Sequence, residues 1–585
     1  MRKALKKYLS LFLVIIMLFS SSTFASASDA PAADNSGIMF VTDVVNGLLN
    51  VVFKGFGALM PKDFPTVEEY YAGESENFYE GMEVFIDEPA DNAKWHLGFG
   101  KGSMVPENLK DGSKKYYTGG YFTQKVNGVY DDQGANAVAM NDNSGRGTVV
   151  MVSVDGIGVN NADVRAIRAD AERKLADMGI ESDIAAINIS ATHCHTVVDT
   201  QGFGLGLIIS KVFHNILSFL PFMEPIRSID ADFYPYMIDG ASDAIVEAYT
   251  NMEPGELYYF ETAGIGRSER NQNYMDDEYD YIFNKRYNME GYQHVIACLK
   301  FVPDDETSKP TVVANLGAHP TTINRETELL SADFPHYIEE KINADGMNFA
   351  FIQGAQSPIS VNKDAVQTPS IVEEVEAQIA ADPSNEPYKA AKKLGYEFAR
   401  LILEAQENAV PVDPIINVKM SEVTVHMEYG LMEIGAVSAL LGTTTVKDES
   451  SPCGYSVITE VGYLELGSDI VMLTVPGELI PQLVYGNVVD KTQSYTGEDW
   501  NVDITSELIG DDKTVLVMGL CNDALGYIVP DNDYAPFVAD SLWNTDLGEK
   551  LFGPAQRHYE EMLSMGSTAG STIMGALNGV VKDCQ

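Results

Sequence analysis

The densest group of reactive side chains in this 585-residue sequence is Ser190-Ala-Thr-His-Cys-His-Thr196. His193 and His195 stand two apart at the end of an apolar run, so in an extended chain both imidazoles project from one side. Imidazole is the commonest protein donor to zinc, and catalytic zinc takes three protein ligands and a water. Alone, such a pair is ambiguous. Its placement adds weight, because ligands of open α/β sheets gather outside the carboxyl ends of strands. Other candidates fall at corresponding places. His319 follows the run 311–316, Glu478 follows 471–475 in Val475-Pro-Gly-Glu478, and Ser357 and Ser360 follow 349–352. Asn522, Asp523 and Tyr527 follow 515–518. Singly, these read as a hydrogen-bonded histidine, a solvated carboxylate or loop hydroxyls. Together they offer a His/His/Glu/Tyr set around one sheet edge, which suits a metal such as zinc.

The elements that must position these residues are legible as apolar patterns. Residues 148–154 form a β-branched run ending at Asp155, 163–178 carry Val164, Ile167, Ala171 and Leu175 near helical spacing, and 184–189 are again apolar. Strand–helix–strand alternation predicts an α/β fold with a mixed sheet, flanking helices and the zinc site at the carboxyl ends of the strands. Further strands are expected at 295–302, 311–316, 349–352, 469–475 and 515–518, with helices over 371–381 and 388–409. Asn161 reads as a helix cap. The apolar segment 203–223 is broken by Lys211, His214 and Asn215, which argues against a membrane span. A buried helix and an apolar lid over a lipid pocket are both open readings.

Rival chemistries lack their signatures. There is no G-x-S-x-G elbow, no G-x-x-x-x-G-K-[ST] phosphate loop and no H-E-x-x-H helix. Asp155-Gly-Ile-Gly158 lacks the third glycine of a dinucleotide fingerprint. The five cysteines form no C-x-x-C pair and read as buried or reduced thiols.

Residues 1–27 read as a signal peptide: Arg2, Lys3, Lys6 and Lys7 precede an apolar stretch that ends at Ala25-Ser26-Ala27. The protein is therefore expected to be exported and secreted. The formal charge is −46, and removing four basic residues with the leader gives −46 − 4 = −50. So strong a negative charge repels phosphate backbones and excludes general nucleic-acid binding. Residues 28–80 form a preamble in which 38–60 read as a helix packed on the main domain, an interfacial helix being the alternative. The main domain spans 81–585, and no protein partner is indicated.

Taken in order, these motifs resemble the neutral, non-lysosomal ceramidases, zinc amidases that cleave N-acylsphingosine. Their Ala-Thr-His-Thr-His-Ser-Gly-Pro is matched by Ala191-Thr-His-Cys-His-Thr-Val-Val198, Asn-Arg-Ser-Pro by Gly266-Arg-Ser-Glu269, and His-Pro-Thr by His319-Pro-Thr321. Val-Pro-Gly-Glu is intact at 475–478, and Gly-Leu-Cys-Asn with a Tyr five residues on is matched by Gly519-Leu-Cys-Asn522 and Tyr527. The resemblance covers roughly residues 90–535. It implies one zinc held by His193, His319, Glu478 and Tyr527, with His195 assisting proton transfer and Arg267 stabilising the oxyanion. It also implies a catalytic Ser360, for which Ser357 competes because the family's Gly-Asp is lost there. The implied activity is hydrolysis of the N-acyl amide of ceramide-like lipids, with transient membrane contact through 203–223. The C-terminal β-sandwich of longer family members has no counterpart among the motifs. Val197-Val198 in place of Gly-Pro leaves room for another N-acyl lipid or N-acyl amino acid as substrate, or for a non-catalytic lipid-binding surface protein.

Overall fold

An apolar run with no alternation must be buried on both faces, and 148–154 is the clearest case in the chain. In the computed structural model every residue of that strand is buried. The structure describes Gly47 and residues 64–585, apart from 74, 121–123, 204–210, 213, 216, 218–223, 267–280, 285, 287–293, 325–326, 367, 429–434 and 537–559. The expected leader, the helix over 38–60, Arg267 and most of 203–223 therefore lie outside the described residues.

The strands, in chain order, are β1 (Trp95–Ser103), the short hairpin β2 (Tyr116–Tyr117) and β3 (Lys125–Val126), β4 (Gly134–Asn141), β5 (Thr148–Val154), β6 (Ile184–Ala191) and β7 (Glu253–Glu261). There follow β8 (Ile282–Asn284), β9 (Ala297–Pro303), β10 (Thr311–Leu316), β11 (Asn348–Gln353), β12 (Ile359–Val361) and β13 (Val410–Val412). The last third supplies β14 (Ile416–His426), β15 (Thr444–Lys447), β16 (Tyr455–Leu466), β17 (Ile470–Thr474), β18 (Glu478–Leu479), β19 (Thr514–Met518) and β20 (Tyr527–Ile528).

Nine strands form the first sheet, ordered β11-β10-β9-β7-β1-β4-β5-β6 with β13 added on β7. Its pairs are antiparallel except β10–β11 and β5–β6, so the sheet is mixed as expected. The β5–β6 pair encloses the helix Asn161–Asp177, the strand–helix–strand unit read from the sequence. The sheet curls until its first strand approaches its last. Asn136 donates to the Phe349 carbonyl and Ser153 to that of Phe351, joining β4 and β5 to β11 across the curl.

A second sheet, β14-β16-β17-β19 with β15 beside β16, lies against the first. Val149, Met151, Leu97 and Val138 of the first sheet share a buried cluster with Val418, Met420, Leu464 and Met472 of the second. Helices Asn161–Asp177 and Tyr234–Thr250 cover the outer face of the first sheet, and Ala569–Cys584 covers that of the second. The result is helix, sheet, sheet, helix. The facing second sheet was not among the expectations.

Packing explains details of sequence. Gly98, Gly100 and Gly102 alternate along β1 beneath the helix Tyr234–Thr250, where an added Cβ would lie 2.1, 2.1 and 1.9 Å from backbone oxygens of Ala248, Ala244 and Gly240. Arg168, fully buried, binds both carboxylate oxygens of Glu460 on β16 at 3.1 and 2.9 Å and donates Nε to the Ile187 carbonyl of β6 at 3.0 Å. It thereby links helix, first sheet and second sheet. Glu460 also accepts from Arg165 at 3.2 Å, so loss of Arg168 leaves its buried charge partly matched. Arg168→Met should lower the unfolding free energy in chemical denaturation, by less than the roughly 3–5 kcal/mol that breaking an isolated buried pair costs.

Candidate metal centre

The segments that leave β6, β10 and β17 bring His193, His319 and Glu478 together, and those that leave β11 and β19 carry Ser357, Ser360 and Tyr527. His193 comes two residues past β6 with φ of 63°, the left-handed region that a non-glycine residue adopts only when its surroundings hold it there. Two backbone bonds do so: Thr192 N–H to the Val154 carbonyl at 2.9 Å, and Cys194 N–H to that of Gly156 at 3.1 Å. The turn sends the two imidazoles to one side and the Cys194 side chain into the apolar core beside Val154 and Ile189. Burial raises the Cys194 thiol well above its ordinary pKa, which leaves it protonated.

His193, His319 and Glu478 form a buried group whose potential ligand atoms all lie within 4.8 Å of one another. Glu478 Oε2 is 3.3 Å from His193 Nε2 and 3.1 Å from His319 Nε2. The other ring nitrogens are engaged outward: His193 Nδ1 meets the Ile157 carbonyl at 2.8 Å and His319 Nδ1 that of Ile359 at 2.7 Å. A carbonyl accepts only, so Nδ1 carries a proton; each Nε2 turns inward, holding a second proton against Glu478 and, once that proton leaves, offering the lone pair a metal needs. Burial opposes ionisation of Glu478, but the two imidazoles override it and hold its pKa far below the ordinary carboxylate range. Burial opposes a charge on His193 as well, and the Glu478 carboxylate outweighs it, so that pKa is raised. Two nitrogens and a carboxylate, dry and convergent, fit a divalent ion such as zinc.

The remaining expected residues fall close by. Tyr527 is buried directly opposite Glu478 in the parallel β18–β20 pair. The His195 ring centroid is 4.8 Å from that of His193 and 6.1 Å from that of His319, beside the ligand group. It lies against Gly120, where an added Cβ would sit 1.8 Å from Nδ1, so only glycine leaves room for the ring. Ser360 is buried on β12, one residue after the Ile359 carbonyl that orients His319. Ser357 is fully buried, its N–H bonds the Leu479 carbonyl at 3.2 Å, and its hydroxyl has no partner among the described residues. Arg267 lies outside the described residues.

Three readings of the sequence change. Asn161 is not the cap: Asn160 occupies that position, and the Asn161 side chain donates to the Asn522 carbonyl and to Glu460. Asn522 serves β6, accepting from Ile189 N–H at 2.9 Å and donating to Asn188. Asp523 accepts the N–H groups of Asn161 and Ala524. Pattern reading also missed Gly120, the Ile157 and Ile359 carbonyls, and Gln353, whose amide contacts both histidine turns. Backbone carbonyls leave no sequence signal. Gln353 left one, a polar residue closing the apolar run 349–352.

Titrating metal-free protein with zinc should reveal one site per chain. His193→Ala and Glu478→Gln should each weaken it by more than the ~10–100-fold that loss of an outer hydrogen bond costs. Asp523 makes a separate prediction. An unfolded aspartate titrates near about 3.9, whereas burial pushes Asp523 up to about 7. Between those values the folded state holds the extra proton, so this group's contribution is complete at low pH and is lost as pH rises through about 7. Asp523→Asn should flatten the dependence of the denaturation midpoint on pH across that window and raise the midpoint above it.

No protein-family model and no curated protein matches the chain. Among solved structures it is similar to neutral ceramidase from Pseudomonas aeruginosa, with 15% identity and a TM-score of 0.55 over 84% of this chain and 74% of that one. It is likewise similar to a ceramidase complexed with C2, with 14% identity and a TM-score of 0.53 over 84% of this chain and 75% of the other. At these identities the likeness is one of fold: the chain has the fold of these ceramidases.

Proposed function

We propose that the protein is a zinc-dependent amidohydrolase, exported through its N-terminal leader, that cleaves the N-acyl amide of ceramide-like sphingolipids to a fatty acid and sphingosine. The observation that carries this reading is the convergence of His193 Nε2, His319 Nε2 and Glu478 Oε2 in a chain with a ceramidase fold. In this reading Tyr527, paired with Glu478, completes the ligand set. Zinc bound there supplies Lewis acidity, polarising an amide carbonyl and making water nucleophilic near neutral pH.

The chain's own residues supply the rest. His195, beside the ligand group and not within it, carries a proton to the leaving amine, a task suited to imidazole near neutrality. Arg267 stabilises the developing oxyanion, an interaction whose loss typically costs about 10²–10³ in rate. The resemblance gives Ser360 the part of acyl acceptor in a double displacement, the alternative to direct attack by water, and Ser357 is its rival. Ser360 stands next to the carbonyl that orients His319, and Ser357 offers a buried hydroxyl with no partner among the described residues. The apolar segment 203–223 would meet the acyl chain or the membrane surface. Asn215 fastens it, donating to the carbonyls of Ile226 and Ser438 at 2.9 Å each. Among the described residues no helix is long and apolar enough to cross a membrane.

The deciding experiment is fatty-acid release from ceramide by purified protein lacking residues 1–27, with chelator and zinc add-back. Release should stop with chelator and return with zinc. His195→Ala should keep stoichiometric zinc and lose about 10²–10⁴ in kcat, and Ser360→Ala should lose more than Ser357→Ala. Bound zinc without release from ceramide points to another N-acyl substrate, and absence of bound zinc overturns the reading.

A further inference from the structure

His193 and His319 reach the site from opposite regions of the curled sheet. His193 follows β6, which ends the strand order, and His319 follows β10, next to the other edge. Within the sheet β6 pairs with β5 and β11 with β10, so no ladder joins the two histidine turns directly. One side chain spans them. Gln353, the fully buried last residue of β11, donates Nε2 to the carbonyls of Thr192 and Ala318, each at 3.0 Å. Its Oε1 accepts the N–H groups of Ala318 and Gly354, each at 3.2 Å. A primary amide has two hydrogens to donate and two lone pairs to accept with, so its capacity is filled.

Thr192 and Ala318 are the residues immediately before His193 and His319. The same residue reaches toward the third ligand through its backbone. The Gln353 carbonyl accepts Gly519 N–H at 2.8 Å, and Leu520 N–H bonds the carbonyl of Gly477, the residue before Glu478, at 3.0 Å. A fully satisfied buried network of this kind rigidifies its surroundings.

We propose that Gln353 is the positioning residue of the metal centre, its amide fixing the separation of the two histidine turns so that both Nε2 atoms face Glu478 before a metal arrives. The inference rests on the metal reading above. Glutamine is specific to the task. Ionised glutamate would turn acceptors toward two carbonyls, methionine would leave those carbonyls and the Ala318 N–H without a partner, and asparagine is one methylene too short to span both turns.

The test uses the whole protein, stripped of metal and titrated with zinc against a chromophoric chelator, and then loaded with cobalt(II), whose visible bands report ligand geometry. Gln353→Met is the main variant and Gln353→Asn a milder one should the first fold poorly. Asn578→Ala is the control: it removes buried bonds to Thr505 and to the Asp503 carbonyl that lie outside the ligand turns. Gln353→Met should weaken zinc about 10–100-fold and alter the cobalt bands, Gln353→Asn should do so to a smaller degree, and Asn578→Ala should lower Tm alone. Wild-type affinity and bands in both Gln353 variants would overturn the proposal while leaving the metal reading intact. Failure of the wild-type protein to bind either metal would overturn both.

Discussion

A carboxylate taken out of water must be matched, and Glu478 is matched by two imidazoles within 3.3 Å. That electrostatic contact sets the terms for the surrounding structure. For each Nε2 to face the carboxylate, each Nδ1 must find an acceptor on its far side, and the carbonyls of Ile157 and Ile359 provide it. For the Ile157 contact to form, His193 must leave its strand in a left-handed turn. The cost of that conformation, about 1–3 kcal/mol, is offset by backbone bonds that leave the turn no other path.

The two sheets serve the same end. Each is buried on both faces, one against helices and the other against its partner sheet, so the strands behind the ligand turns are fixed by packing. Precision at a metal centre comes from such backing, because ligands on turns are only as well placed as the strands that end there. Arg168 and Glu460 extend the backing with charge, tying the helix after β5 to the second sheet one layer behind the histidines.

Much of this was legible in the chain, and the failures have a pattern. The runs 148–154 and 311–316 became strands with the same limits, because uninterrupted β-branched residues buried on both sides admit little else. His193, His319 and Glu478, which the structure brings together, each follow such a run. Relations between distant segments were hidden. Nothing local in residues 455–466 shows that they face the first sheet, and the curl that brings β11 to β5 depends on side chains such as Ser153 and Asn136, which look ordinary in sequence. Asn161 was misread for the same reason: a cap is a local motif, but its amide is drawn to Asn522, which is distant in sequence.

Cys194 sits between two histidines in sequence, yet its sulfur points into the core with a strongly raised pKa. An exposed thiolate at that position would be the softest donor in the cluster. With the sulfur turned away, the donors that converge among the described residues are the nitrogens of His193 and His319 and the oxygen of Glu478. Such a set discriminates against thiophilic ions such as monovalent copper and leaves no reactive sulfur for oxidants to attack. The geometry of a single turn thus keeps sulfur out of the buried donor group formed by His193, His319 and Glu478.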